Sequence, residues 1–517
     1  MRVSEFETSP TKNRHPVYED SMLYSTAPEW STGEVLLAAA YRRLILGVPE
    51  SSVNLDNIEQ VPAAMPAGTG GAETWSQLLT QRGGIASPLK HGQYSSLASR
   101  QLMPLVPSIA RIAGVLGKRP RSRWNPSNLL LETIGAGIGR QEGVALVRKL
   151  GESLAIAGDD DVFARFVEGS LQQGLQQVQP PPAAAAPFHS LQLDEEMMRA
   201  FRSNQGALRL CPAERFCRDL PTVLATKPGL TRRQWTVLVE SILRLGLGMH
   251  VLWTCNANVV VWEYALHVAS GTTPPTAVEI ETQVWQTHDK SRPLLELGAD
   301  AEPLIERLIE RYAYARTGIN LLLCQLEDAG APWLQATPIG FASSLGTSAP
   351  AALANFLAHV STHRQSIDPG DAGQWLRARV GQMFDEREDL RDLARCDSGY
   401  TKNLFEFARH SLGQVKAKYP EQRCYDLAYL LAYTGERKPL SLEPGPAMLV
   451  MLVHACCAAN PSIPVSLDDF RQRLGEYGLH VPAGELVDGK TGRDLARLGL
   501  VVDSPDAAGG RLLVPPF

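Results

Sequence analysis

The sequence has no Cys-x-x-Cys pair, no uninterrupted apolar run long enough to span a bilayer, and no large excess of either charge. Each absence excludes something. Structural zinc sites draw their ligands from closely spaced pairs. The eight cysteines, Cys211, Cys217, Cys255, Cys324, Cys396, Cys424, Cys456 and Cys457, offer no such pairs beyond two adjacent thiols in a strongly apolar stretch. They read as buried, reduced side chains, with no metal and no cofactor expected. The longest apolar stretches are 446–459, shorter than the roughly 20 residues a membrane helix needs, and 251–269, interrupted by Asn256, Asn258 and Glu263. The polar segment 1–10, with Glu5 and Glu7, lacks the basic start and apolar core of a secretory signal. The expectation is a cytoplasmic protein without membrane contact. A net charge of −5 excludes a uniformly basic nucleic-acid coat but leaves room for local basic patches.

Catalytic signatures are equally scarce. No Gly-x-Ser-x-Gly elbow occurs. His359 and His363 lie four apart, a spacing that can hold a metal on a helix, but Val360, Ser361 and Thr362 between them supply no acid. Gly135-Ala136-Gly137-Ile138-Gly139 places its third glycine one residue too early for a dinucleotide turn. Gly484-x4-Gly489-Lys490-Thr491 matches a phosphate-binding loop in letters, but 479–482 is too short for the buried strand such a loop follows. No catalytic residue is therefore assigned.

What is present is helical. With 517 residues, 44% hydrophobic and 20% charged, the chain has the balance of an ordinary globular protein. At roughly 100–200 residues per domain it has room for about three domains. Residues 1–30 are polar and turn-rich and read as an extended arm. Ser31-Thr32-Gly33-Glu34 reads as a capping box opening a helix over 35–46. Residues 141–178 are helical in pattern, with Asp159-Asp160-Asp161 as a cap before Val162. The run Pro180-Pro181-Pro182-Ala183-Ala184-Ala185-Ala186-Pro187 reads as a semi-rigid spacer. The expected division is arm 1–30, helical N-terminal domain 31–178, linker 179–187, helical middle domain 188–440 and a C-terminal unit 441–517. In the middle region Thr231 caps a stripe of Trp235, Leu238, Val239, Ile242 and Leu243. Two further stripes, Leu304-Ile305-Leu308-Ile309-Tyr312 and Trp375-Leu376-Val380-Met383-Phe384, read as core faces. The fold class is mainly α and multi-domain.

The C-terminal unit has the clearest order. An apolar helix over 446–459 precedes a helix over 467–477 that Ser466 caps and Gly478 ends. A third helix falls near 483–498 and stops at Gly499. Two short strands, Leu500-Val501-Val502 and Arg511-Leu512-Leu513-Val514, flank a turn with Pro505, Gly509 and Gly510. Three helices and a hairpin in this order resemble the winged-helix superfamily over about 75 residues. That resemblance implies DNA contact through the third helix, with Lys490, Arg493 and Arg497 as its cations. Glu485, Asp488 and Asp494 oppose them, and residues 441–517 carry nine acidic against six basic side chains, so packing or protein contact is the competing role.

A second basic element lies upstream. Residues 111–149 carry eight basic side chains against Glu132 and Glu142. Lys118, Arg119, Arg121 and Arg123 with Trp124 suit phosphate contact and base stacking, or an acidic partner protein. A weaker patch, Lys402, Arg409, His410, Lys416, Lys418 and Arg423, is diluted by Glu406 and Glu421. The leading expectation is a non-catalytic scaffold or recruitment subunit of a bacterial multi-protein system acting on DNA. In overall character it is similar to accessory proteins of anti-phage defence operons. Its partners are then other subunits and double-stranded DNA. A DNA-binding transcriptional regulator and an enzyme with a site assembled from distant residues are the alternatives.

Overall fold

The computed structural model describes residues 1–15, 18, 36–41, 44–45, 86–88, 100–102, 105–107, 126–138, 140–158, 160–178, 211–285, 294–330, 349–414, 426–433, 440–459, 464–504 and 510–517. The chain is mostly helical. In order, the elements are α1 (Val3–Thr8), α2 (Leu36–Tyr41), β1 (Ala86–Pro88), β2 (Arg100–Leu102), α3 (Pro126–Gly137), α4 (Arg140–Leu154), α5 (Val162–Val178) and α6 (Pro212–Leu224). Then come α7 (Arg232–Ala269), α8 (Ala277–Ile280), β3 (Leu295–Glu296), α9 (Ala301–Asp328), α10 (Ala349–Ile367), α11 (Ala372–Glu386), α12 (Glu388–Ala394) and α13 (Gly399–Leu412). The C-terminal part holds β4 (Leu431–Tyr433), β5 (Leu440–Leu442), α14 (Pro446–Ala458), α15 (Leu467–Glu476), β6 (Leu479–His480), α16 (Lys490–Arg497), β7 (Val501–Asp503) and β8 (Arg511–Leu513). The described strands pair only two by two: β1 with β2, β4 with β5 and β7 with β8 antiparallel, and β3 with β6 parallel.

The fold is organised on α7. Thr231 caps it as its sequence implies, accepting from Gln234 N, while Gln234 reaches back to Thr231 N at 3.1 Å. Over its 38 residues apolar side chains point in every direction rather than along one stripe, the signature of a helix buried all round. Helices α2, α3, α6, α9, α10, α11, α13 and α14 pack against it. Among the described residues it is the one helix long and apolar enough to cross a membrane, and its apolar window is wholly covered by the rest of the fold. Buried apolar residues from Phe6 to Leu513 form one continuous cluster, joining both sides of the expected 179–187 linker.

The buried arginines of α7 are partnered within this core. Arg232, fully buried, donates to Asp160 Oδ1 at 3.0 Å, Tyr41 Oη at 2.8 Å, the carbonyls of Leu105 and Ser153, and that of Leu154. Arg244 pairs with Glu240 at 2.7 Å and with Asp426 at 2.9 Å. Glu240 in turn accepts from the backbone N–H of Leu37 at 2.8 Å and so holds the start of α2.

Several local expectations change. Residues 1–30 were expected to extend, but Val3–Thr8 is helical. Phe6 is buried, Val3 N donates to Asp328 at the end of α9, and Glu7 pairs with Arg379 of α11 at 2.7 Å. Turn-rich composition does not report ion pairs made with segments more than 300 residues away. The Ser31–Glu34 capping box lies outside the described residues, as does the 179–187 linker; the helix expected over 35–46 is described as α2, with Leu44 and Ile45 following in a wider turn. Of the acidic triplet, Asp161 caps: its Oδ1 accepts from Ala164 N at 2.8 Å at the start of α5, whereas Asp160 is buried against Arg232 and Asp159 lies outside the described residues. Gly135 and Gly137 sit inside α3, not in a turn, and a methyl group at Gly137 would lie 2.3 Å from the Ala213 carbonyl of α6. Gly137 serves close helix packing. His359 and His363 meet on α10 with ring centroids 4.1 Å apart and planes tilted by 42°, and the described residues contain no group of three or more His, Cys, Asp or Glu side chains placed to hold a metal.

Candidate nucleic-acid interface

The C-terminal elements are built by local chemistry. Pro446 occupies the first turn of α14, where its missing N–H costs nothing. Ser466 caps α15, accepting from Asp469 N at 3.1 Å, and Asp469 Oδ2 accepts from Ser466 N at 2.8 Å. Gly478, with φ 82°, ends it. The third helix is shorter than its sequence pattern suggests. It begins at Lys490, because 483–489 forms a turn in which Gly484, at φ 87°, presents its carbonyl to the N–H groups of Val487, Asp488 and Gly489. Gly499, at φ 71°, closes α16. The hairpin β7–β8 follows with Val501 opposite Leu513 and Asp503 opposite Arg511. The segment before α15 joins its edge: Leu513 N donates to the Val465 carbonyl at 2.8 Å, and Ser466 bridges Leu512.

Helix α16 has two faces. Thr491, Gly492 and Leu495 are buried beneath it. Lys490, Arg493 and Arg497 are exposed at i, i+3 and i+7, which places all three on one outward face. Of the acids that oppose them in sequence, Glu485 is drawn off this face and Asp494 stays beside it. Glu485 turns inward, its Oε1 accepting from Thr491 N at 2.9 Å and Thr491 Oγ1 at 2.8 Å. Asp494 is partly buried and meets Arg497 at 3.5 Å, while Arg493 donates to the Asp488 carbonyl at 2.7 Å. Lys490 contacts Glu443. Arg497 keeps 81% of its side-chain surface exposed, so its ion pair leaves most of the guanidinium available. On the hairpin, Arg511 pairs with the exposed Asp503 at 3.0 Å and donates to the Val487 carbonyl.

The same contacts dispose of the phosphate-loop match. The backbone and hydroxyl donors at the start of α16 are taken by the Glu485 carboxylate, and a methyl group at Gly489 would lie 2.1 Å from Glu485 Oε2. The end of α16 that would receive a phosphate already holds an anion of the chain's own.

The unit is joined to the helical body by a buried charge cluster. Asp219 of α6 accepts from Arg473 at 2.6 Å and from Tyr477 Oη at 2.9 Å, and pairs with Arg215 at 2.8 Å. Arg215 also pairs with Glu476 at 2.8 Å, and Arg473 donates to the Ala455 carbonyl. Beside this joint, between α14 and α15, is a cavity of about 250 Å³ lined by Cys456, Val465, Asp469, Gln472, Arg473 and Glu476. Burial pushes the Cys456 thiol up to about 12, so it is not a nucleophile at neutral pH. Two other groups with displaced titration lie on elements that do not line this cavity. Burial lowers His250 of α7 to about 4 and raises Glu132 of α3 to about 7.

Of the residues the sequence singles out for nucleic acid, Lys490, Arg493 and Arg497 are brought together on α16. Lys118, Arg119, Arg121, Arg123 and Trp124 lie outside the described residues, as do Lys416, Lys418 and Arg423 of the weaker patch. The inward turn of Glu485 and the role of Asp219 as the joint are not visible in sequence. The nearest signal for the first is Glu485 lying six residues before Thr491, a spacing with no regular helical meaning. No family model matches the chain, and no curated protein or solved structure is significantly similar to it.

Proposed function

We propose that this chain is a non-catalytic recruitment subunit that contacts duplex DNA through the outward face of α16, with 441–517 serving as a winged helix. The carrying observation is the arrangement of α16: three cations at i, i+3 and i+7 outward, with one opposing acid, Glu485, consumed as an internal cap. The order helix, helix, strand, helix, strand, strand supports the winged-helix reading, as does the pairing of the segment before α15 with β8. In that fold the third helix enters the major groove and the hairpin flanks it. The Asp219 cluster supports the recruitment half, because a buried joint fixes the DNA-contacting face relative to the helical body instead of tethering it loosely. The wider setting, a bacterial multi-protein system acting on DNA such as anti-phage defence, follows from a large helical body carrying no catalytic signature.

The test is fluorescence anisotropy with a random-sequence duplex over a range of salt concentrations. Each phosphate contact contributes about 0.9 to the slope of log affinity against log salt, so the Arg493→Ala, Arg497→Ala variant is expected to lower that slope by about 2. The Arg119→Ala, Arg121→Ala, Arg123→Ala variant tests the upstream basic segment in parallel. No binding of wild-type protein at low salt overturns the DNA reading.

A further inference from the structure

Helix α5 is the anomaly of the surface. A surface helix turns apolar residues inward and polar residues outward. α5 buries Ala164, Val167 and Glu168, yet leaves Val162 73%, Phe163 42% and Phe166 61% exposed. Of the eight large apolar residues strongly exposed among those described, three fall within these five positions. The stripe continues one turn on, where Gly169 is exposed and a methyl group placed there would meet nothing within 4 Å. Val162, Phe166 and Gly169 thus make an apolar ridge ending in a notch.

The surroundings of this ridge are basic. Arg232 gathers three helix ends at one corner: its N–H donates to Asp161 Oδ2 at 2.8 Å before α5, and its guanidinium reaches the carbonyls of Ser153 and Leu154 at the end of α4. Beside that corner Arg165, three residues after Val162 on α5, and Arg233, next to Arg232, are exposed and make no ion pair among the described residues. Among the described residues, the two acids before α5 are spent. Asp160 is buried between Arg232 and Lys227, and Asp161 is occupied by the N–H groups of Ala164 and Arg232. Glu152 remains as an exposed acid.

We infer that this face of α5 is a docking site for an acidic amphipathic helix of a partner protein. Apolar anchors at helical spacing fit the ridge, and flanking Asp or Glu side chains fit Arg165 and Arg233. A single-stranded nucleic acid fits less well, since Val162 has no stacking face and the apolar side chains run along the helix rather than fanning out as separate platforms. Three side chains cover too little area for a permanent complex, so the contact belongs to the micromolar range of transient recruitment. The inference does not depend on α16 or on DNA.

The experiment uses the full chain and two labelled synthetic helical peptides that share a leucine face, one flanked by Glu and the other by Lys. Oligothymidine and sedimentation of the protein alone are run beside them. The Glu peptide is expected to bind at least tenfold more tightly than the Lys peptide. Phe163→Ser with Phe166→Ser is expected to weaken that binding at least tenfold, and Arg165→Glu with Arg233→Glu to reverse the preference between the peptides. All four positions are exposed, so an unchanged melting temperature verifies that each variant is folded. Equal binding of both peptides, or binding of neither, overturns the inference. So does oligothymidine binding, or self-association of the chain, that disappears in the phenylalanine variant: the face then belongs to nucleic acid or to a second copy.

Discussion

Helices α7 and α5 handle the same residue types in opposite ways. On α7 each glycine is a socket: a methyl group at Gly246 would lie 2.2 Å from the Phe216 ring, and one at Gly248 would lie 2.4 Å from Leu412. Gly169 on α5 faces open space. On α7 the aromatic Trp253 is buried and donates to the Val284 carbonyl at 3.0 Å, whereas Phe163 and Phe166 of α5 face outward. The charges follow suit. The buried charges of α7, Arg232, Glu240 and Arg244, are locked to named partners, while Arg165 of α5 has none among the described residues. What separates these glycines and aromatics is the fit of their neighbours. A glycine or phenylalanine in a socket is committed to the fold, and one facing outward is free for a partner.

The largest effect that sharpens this contrast is expected at Arg232. Arg232→Met removes a charge from a fully buried site and strands the carbonyls of Leu105, Ser153 and Leu154, the Tyr41 hydroxyl and half of the Asp160 carboxylate. Breaking one side of such a network costs on the order of 3–5 kcal/mol. Urea denaturation is expected to show a loss of that size, and Arg232→Lys is expected to recover only part of it, because one ammonium cannot reach carbonyls on three segments. A loss below about 1 kcal/mol would mean that this corner is wet and that α7 is not the anchored core it is taken to be.

Much of this fold was legible because its causes are local. The Thr231 cap and the stripe from Trp235 to Leu243 announce α7, and all five stripe residues are buried. Ser466, Gly478 and Gly499 mark helix ends in the C-terminal unit, and each acts there as its chemistry dictates. What sequence order hides is pairing at a distance. Glu240 and Arg244 look like an exposed pair four residues apart, and only the fold brings Asp426 and the start of α2 to them. The candidate site was legible to the same extent: the basic spacing on α16 is visible in the letters, but the withdrawal of Glu485 from that face depends on a turn set by Gly484.

A smaller effect tests how dry α7 is at its middle. His250 lies flat against Trp253, with ring centroids 5.6 Å apart, and its Nδ1 has no hydrogen-bond partner. Burial holds its pKa at about 4, against an ordinary 6.5. A depressed value means that the unfolded chain takes up the proton first. The contribution of neutral His250 is therefore complete above pH 6.5 and is lost as the pH falls from there toward 4. The loss approaches about 3 kcal/mol at the acid end. Urea midpoints measured across this window are expected to fall more steeply for the wild type than for His250→Phe. Parallel curves would show that the imidazole is hydrated, and the dry centre assigned to α7 would be wrong there.

The smallest effects come from the glycines, and their signs are the point. Gly246→Ala must push the Phe216 ring, whose atoms occupy the place of the new methyl group. Overpacking of this kind costs about 1–3 kcal/mol. Gly169→Ala meets no neighbour, so it is expected to stabilise by up to about 1 kcal/mol through helix propensity and a less flexible unfolded chain. Thermal denaturation of the two variants side by side is expected to move the transition down for the first and up for the second. If Gly169→Ala instead lowers it, the notch beside Phe166 is already filled in the isolated chain. The outward face of α5 then belongs to the fold, as the inward faces of α7 do, and the difference between the two helices collapses.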